Sequence, residues 1–300
     1  MGPVSSQKMR TGEIDIDAPL VRRLVARRFP AWARLPVTRL RSSGTENAMF
    51  RLGPELVVRL PRHPGAVADV THERDWLPRL GPGLPVAAPE PVGAGEPDGD
   101  FPWPWSVYRW LDGANPVAGA VRRPERLAAE LGEFVAALRR TPAADAPRGY
   151  RGGPLPGQDG ETRDALARLA GRVDTARATA RWESALAAPA HTGPPAWAHG
   201  DLSPGNVLVT AEGRLSAVID FGCAGVGDPA VDLIVAWNLL PASARGVFRD
   251  AVRADDAEWA RGRGWALSIA LVQLPYYWHT NPALAENARH TIGEVLAERA

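Results

Sequence analysis

The chain has 300 residues, more than one small domain needs and enough for two lobes. Hydrophobic residues make up 45% and charged residues 23%, the proportions of an ordinary globular protein, and 35 basic side chains against 34 acidic ones leave no excess to attract nucleic acid. A single cysteine, Cys223, excludes an internal disulfide framework and a cysteine-based zinc site. No secretory leader or membrane-length apolar run is visible, so the chain is expected in the cytoplasm, off the membrane and with no obligatory protein partner.

The first hundred residues read as strand-rich. Residues 37–42 (VTRLRS) lead through the turn SGTEN to 48–52 (AMFRL), and Gly53-Pro54 returns the chain into 56–61 (LVVRLP), a three-stranded meander. Helical spacing follows in GAVADVTHERDWLPRL, where Val70, Leu77 and Leu80 share one face with Glu73. A carboxylate in an apolar stripe costs desolvation energy unless a cation meets it. Residues 81–104 form a Gly/Pro-rich passage. Residues 105–111 then read as a buried strand ending at the turn signal Asp112-Gly113, which sets the expected boundary between lobes 1–111 and 112–300.

Beyond it the chain is mostly helical. PERLAAELGEFVAALRR opens with Pro at a first helical position and repeats apolar residues at Leu127, Leu131 and Leu138. Residues 150–160 read as a loop, and ETRDALARLAGRVDTARATARWESALA as one or two helices. Further helices are expected near 229–240, 243–253, 256–278 and 282–298. Before these, VLVTAEGRLSAVID reads as a hairpin turning at Glu212-Gly213. It brings Asp201 and Asn206 of HGDLSPGN near Asp220 of IDFG, at one end of a small sheet. Such oxygen donors suit a hard cation such as Mg²⁺.

HGDLSPGN followed by IDFG resembles the catalytic and metal-binding segments of the aminoglycoside phosphotransferase family, relatives of the protein kinases, with Asn five positions after Asp. The resemblance implies an α+β, protein-kinase-like bilobal fold. A small antiparallel-sheet N-terminal lobe would bind nucleotide and end in the hinge; a larger, mainly helical C-terminal lobe would carry catalysis and substrate. It also implies that Asp201 is the catalytic group accepting the substrate hydroxyl's proton. Asn206 and Asp220 would hold Mg²⁺ on the phosphates of ATP, with GTP as an alternative donor. SSGTEN is similar to the family's phosphate-covering turn, making Ser43, Gly44, Thr45 and Asn47 nucleotide contacts, although with its single Gly the segment taken alone reads first as an ordinary hairpin turn. Arg59 in VVRLPR stands where many relatives carry Lys, and Lys8 is the chain's only lysine. Arg59 is expected on the phosphates, paired to Glu73. SVYRWLDG resembles the hinge, with adenine bonded near Arg109 and Trp110. Asp232 resembles a carboxylate that braces the catalytic loop, His199 is expected to order that loop, Asp228 to cap the helix after it, and Cys223 to be a small buried filler.

Four residues separate Gly222 from Gly227, too few for the segment on which a regulated protein kinase docks a peptide. A small hydroxylated molecule is therefore the expected acceptor, and the resemblance implies an aminoglycoside-type antibiotic, with resistance by phosphorylation. A macrolide, a nucleoside antibiotic, or a choline- or homoserine-like metabolite are alternatives. A nucleotide-binding pseudokinase is another, opposed by the joint presence of Asp201, Asn206 and Asp220. Asp255 with Glu258 reads as a capping box or an acidic rim, and Asp159, Glu161 and Asp164 as water-facing. Trp265, Tyr276, Tyr277 and Trp278 read as core rather than ligand wall.

Overall fold

Residues 12–40, 44 and 46–298 are described by the structure, a computed structural model. They divide into two units: one runs to Pro82 and resumes at Ala88–Leu111, the other holds Gly83–Ala87 and everything from Asp112 on. Gly83–Ala87, expected in the first lobe, groups with the second because Val218 N–H donates to Ala87 O at 3.1 Å.

The first unit opens with a helix that the strand-rich reading does not contain. Helix α1 (Ala18–Arg28) starts where the Asp17 carboxylate accepts from Leu20 N–H and Pro19 fits the first turn, and it buries Leu20, Val21, Leu24 and Val25. Strands β1 (Val37–Arg39), β2 (Asn47–Leu52) and β3 (Leu56–Pro61) make the expected meander. β1 is shorter than 37–42, and Gly53 turns β2 into β3 at φ +60°. Helix α2 (Val67–Leu80) follows, burying the predicted stripe of Val70, Glu73, Leu77 and Leu80.

The Gly/Pro-rich passage holds an unanticipated strand, β4 (Pro91–Gly95), and β5 (Trp105–Arg109) completes an antiparallel sheet of order β1-β2-β3-β5-β4. Glycine permits β4 here: a Cβ on Gly95 would sit 1.9 Å from the indole of Trp105, which is fully buried. β5 stops two residues before the expected Leu111, once its pairing with β3 ends at Leu56↔Arg109.

In the second unit α3 (Pro124–Arg140) has the predicted bounds. The expected 150–160 loop is partly helical, since α4 (Asp159–Arg168) begins within it; α5 (Thr175–Leu186) is separate. Strand β6 (Ala196–Ala198) leads to the HGD segment. The hairpin β7 (Val207–Val209) and β8 (Leu215–Val218) turns through Gly213, and β9 (Gly225–Gly227) pairs back on β6.

A 3₁₀ turn over Pro229–Ile234 and the short α6 (Val235–Asn238) replace the single helix expected at 229–240. Helices α7 (Ala242–Val252), α8 (Asp256–Tyr277) and α9 (Pro282–Ala297) follow. α8 buries Trp265, Leu267 and Leu271 and packs on α9 and on the 3₁₀ turn, which makes it the unit's central post. Among the described residues no helix is long and apolar enough to cross a membrane.

Candidate active site

In the first unit the middle of β3 presents Arg59, only 5% exposed, opposite Met49 of β2. A guanidinium there stays charged and must be satisfied. Its Nη1 donates to Glu73 Oε2 at 2.6 Å, and Glu73 is wholly buried. The Asn47 amide oxygen, turned toward Arg59, accepts from Nη2 at 2.9 Å and Nε at 3.1 Å. The Tyr108 hydroxyl, on β5, donates to the same Glu73 oxygen at 2.7 Å. Burial, and next the Glu73 carboxylate, push the Tyr108 phenol well above its usual value. The carboxylate in the apolar stripe of α2 thus has its cation, and the cation has a fixed direction.

The expected contacts at Ser43 and Thr45 fall outside the described residues; Gly44 is exposed. At the expected adenine position, Arg109 N–H donates to Glu90 O at 3.0 Å and Trp110 N–H to Glu55 O at 2.7 Å. Both amides are thereby committed within the sheet's own edge. The Trp110 ring lies under the Arg51 guanidinium at 3.7 Å, and the Arg109 side chain pairs with Glu90 at 2.9 Å.

In the second unit the chain turns sharply between β6 and β7. Gly200 takes φ +76°, and a Cβ there would meet Cys223 O at 2.8 Å. The buried Asp232 carboxylate accepts from the amides of His199 (2.7 Å) and Gly200 (2.8 Å), bracing that turn from beneath. Burial raises the Asp232 carboxyl above its ordinary range, and the two N–H donors and His199 oppose the rise. His199 Nδ1 accepts from Asp201 N–H at 3.3 Å, which leaves the ring proton on Nε2, facing Ile219 O at 3.0 Å. Asn238 Nδ2 holds Leu202 O at 3.0 Å. The half-buried Asp201 is thus presented on a loop tied down at each residue from 199 to 202.

Asn206 Nδ2 donates to Asp201 O (2.8 Å) and to Asp201 Oδ2 (3.0 Å). Ile219 N–H donates to Asn206 O at 2.9 Å, so the residue before Asp220 is bonded directly to Asn206. Asp220 itself adopts the left-handed region at φ +66° and ψ 68°, a conformation that costs a non-glycine residue about 1–2 kcal/mol and turns the chain off the end of β8. The three residues singled out by spacing are therefore carried by one loop and the hairpin that follows it, with Asn206 bonded both to Asp201 and to Ile219, the residue before Asp220.

Those donors fit a hard divalent cation. With the Asn206 amide nitrogen spent on Asp201, its oxygen is directed away from that residue, and the Asp220 carboxylate offers a second oxygen ligand. Among the described residues no group of three or more His, Cys, Asp and Glu side chains is disposed to hold a metal by itself. Further oxygens, from phosphate and water, would have to complete the coordination.

Three residues bonded to those above, one in the first unit and two in the second, carry no sequence signal of their own. Arg151 Nη1 donates to Asp201 Oδ1 at 2.7 Å. Asn115 Nδ2 gathers Gly205 O (2.8 Å) and Val207 O (2.9 Å), clamping the chain on either side of Asn206. Tyr108 completes the Arg59–Glu73 pair.

The residues expected outside the chemistry are placed as follows. Asp228 caps through Ala230 N–H and also binds Arg261 Nε at 2.7 Å. Asp255 caps α8, while Glu258 turns to Arg139 at 2.6 Å. Asp159 accepts from Arg163 and Trp182, unlike the exposed Glu161 and Asp164. Cys223 is half-buried rather than buried. Trp265 and Tyr277 are core, whereas Tyr276 is 49% exposed.

The sequence pattern of the phosphotransferase enzyme family matches residues 37–265. The GDP complex of wild-type aminoglycoside 2′-phosphotransferase-IIIa superposes with a TM-score of 0.74 at 20% identity, over 94% of this chain and 99% of that one. The GDP and kanamycin complex of APH(2″)-IIia gives 0.73 at 20% identity, over 91% and 97%. The macrolide 2′-phosphotransferase of Brachybacterium faecium, an apoenzyme, gives 0.61 at 24%, over 95% and 99%. No curated protein matches the chain by sequence. An HGD loop braced by a buried carboxylate, a hairpin delivering Asn and Asp, and a match spanning most of both units have one common explanation: the chain is an enzyme of the phosphotransferase enzyme family, with the kinase-like fold of its aminoglycoside and macrolide kinases.

Proposed function

We propose that this chain transfers the γ-phosphoryl group of ATP, with GTP as an alternative donor, to a hydroxyl of an antibiotic-type small molecule in the cytoplasm. The aminoglycosides are the class implied by the sequence resemblance, and resistance by phosphorylation is the corresponding role. The observation that supports the reading is the pair of bonds from Asn206, to Asp201 on the braced loop and to Ile219, which precedes Asp220, on the hairpin.

Asp201 orients the acceptor O–H and takes its proton as the oxygen bonds to the γ-phosphorus. The bond from that phosphorus to the bridging oxygen breaks, and its electron pair leaves on the β-phosphate. Asn206 holds the Asp201 carboxylate in one rotamer, so the acceptor meets a fixed oxygen. Arg59, immobilised by Glu73 and Asn47, offers two-donor contact to phosphate oxygens. Mg²⁺, held by the Asn206 carboxamide oxygen and Asp220, would neutralise phosphate charge. Because the amides of Arg109 and Trp110 are committed, adenine recognition at this point would use carbonyls or the residues just beyond.

The test is mass spectrometry of aminoglycosides, macrolides and nucleoside antibiotics after incubation with enzyme, Mg²⁺ and ATP or GTP. A single added phosphate on one acceptor, absent with Asp201→Asn, is expected. Hydrolysis of nucleotide or transfer that persists undiminished in Asp201→Asn would refute the reading.

A further inference from the structure

The Asp201 carboxylate already faces a cation. Arg151 Nη1 lies 2.7 Å from Asp201 Oδ1 and 2.9 Å from Gly200 O, and its side chain is one-fifth exposed. It is no wandering surface arginine. The segment carrying it is laced to the chain after Asp220: Tyr150 N–H to Cys223 O (3.3 Å), Val226 N–H to Pro147 O (2.9 Å), and Asp228 N–H to Gly152 O (2.7 Å). The backbones approach so closely that a Cβ on Gly225 would fall 2.4 Å from Gly149 N. Beside it stands Tyr150, 79% exposed, with the Arg151 guanidinium 5.4 Å from its ring.

A polycation seeks carboxylates that the protein's own cations leave available. The Asp201 carboxylate, where the acceptor must sit, is not left available: Arg151 holds it. Meanwhile the exposed Tyr150 ring, 5.4 Å from the guanidinium that holds Asp201, offers an apolar face on the same segment.

Building on the phosphotransfer proposed at Asp201, we infer that Arg151 is a specificity-determining residue that turns the acceptor site away from polycations and toward a hydroxylated molecule with at most one ammonium group, seated against Tyr150. The acceptor class is then macrolide-like rather than aminoglycoside-like. At an effective dielectric of about 20, like charges about 6 Å apart repel enough, even with screening, to change a rate constant by about tenfold or more. Discrimination of this kind comes from a repulsive element as well as an attractive one.

The experiment compares kcat/KM for erythromycin and kanamycin in the wild type, R151Q and R151K, and in parallel measures whether kanamycin inhibits acceptor-free nucleotide hydrolysis. The wild type should prefer erythromycin and be insensitive to kanamycin. R151Q should shift the ratio toward kanamycin by about tenfold, or gain kanamycin inhibition, whereas R151K, which keeps the charge, should retain the wild-type pattern. A merely structural role for Arg151 would lower both acceptors alike and leave the ratio unchanged, which would overturn the inference. Kanamycin preferred over erythromycin by the wild type, or inhibiting its hydrolysis, would also overturn it without R151Q having to fold, and would leave phosphotransfer standing. Absence of both transfer and hydrolysis would instead remove the proposed function beneath it.

Discussion

Removing the Glu73 carboxylate tests how the first unit holds a buried cation. In Glu73→Ala the Arg59 guanidinium, 5% exposed, loses its counter-charge, and the Tyr108 hydroxyl loses its acceptor at the same atom. Breaking a buried ion pair from one side costs about 3–5 kcal/mol, and stranding a buried hydroxyl adds about 1–3 kcal/mol. Asn47 retains part of its hold on Arg59, so the expected loss is about 4 kcal/mol, a large share of the roughly 5–15 kcal/mol that stabilises a domain. Glu73→Gln keeps the shape and an acceptor oxygen for Tyr108 but still leaves Arg59 without its counter-charge, and should lose about 3 kcal/mol. It should also raise the nucleotide KM about tenfold, because Arg59 is no longer held by charge. Urea unfolding followed by circular dichroism measures the first effect, and a coupled nucleotide assay the second. Loss of less than about 1 kcal/mol in Glu73→Ala would show that the pair is not structurally coupled. An unchanged nucleotide KM in Glu73→Gln would take Arg59 off the phosphates.

Asp201→Asn should lower turnover by about 10²–10⁴-fold with Mg²⁺-nucleotide affinity nearly intact; parallel loss of both, seen by calorimetry and kinetics, would contradict its assignment as the base. Asp220→Ala should abolish Mg²⁺-dependent nucleotide binding, and calorimetry showing unchanged affinity in Mg²⁺ would misplace the metal. The Tyr108 phenol, held protonated by burial and by Glu73, binds its proton in the folded protein to higher pH than in the unfolded chain. Its contribution to stability is complete below the unfolded value of about 10 and is lost as pH rises through the folded one. Wild-type stability should therefore fall with pH above about 10, more steeply than that of Tyr108→Phe; equal slopes in alkaline urea titrations would refute the linkage.

Local signals were legible and long-range ones were not. α3 begins at Pro124 and ends at Arg140 as read, because a Pro in its first turn and a 3.6-residue apolar period need no tertiary context. The buried Glu73 announced itself as a carboxylate in an apolar stripe, and the five-residue Asp–Asn spacing marked the loop. α1 is not legible although Leu20, Val21, Leu24 and Val25 lie on one face, since Arg22 and Arg23 interrupt them and Arg27 and Arg28 follow, within a stretch that reads as strand-rich. β4 exists because β5 pairs with it and Gly95 makes way for Trp105, neither of which a Gly/Pro-rich passage reveals. β6 and β9 are three residues each, too short for a pattern. Within the first unit Tyr108 and Glu73 are 35 residues apart; within the second Arg151 and Asp201 are 50 apart, and Asn115 and Gly205 are 90 apart. Such partners are joined by topology alone.

The arginine clasped between Asn47 and Glu73 has a practical corollary for chemical profiling. A guanidinium keeps its proton at any pH a protein survives and is a poor nucleophile. With Arg59 on the phosphates, as proposed, nucleotide analogues that tag kinases by acylating a lysine amine there would find none, and Lys8 is the sole lysine in the chain. Surveys built on such reagents would pass over this enzyme even while it bound them.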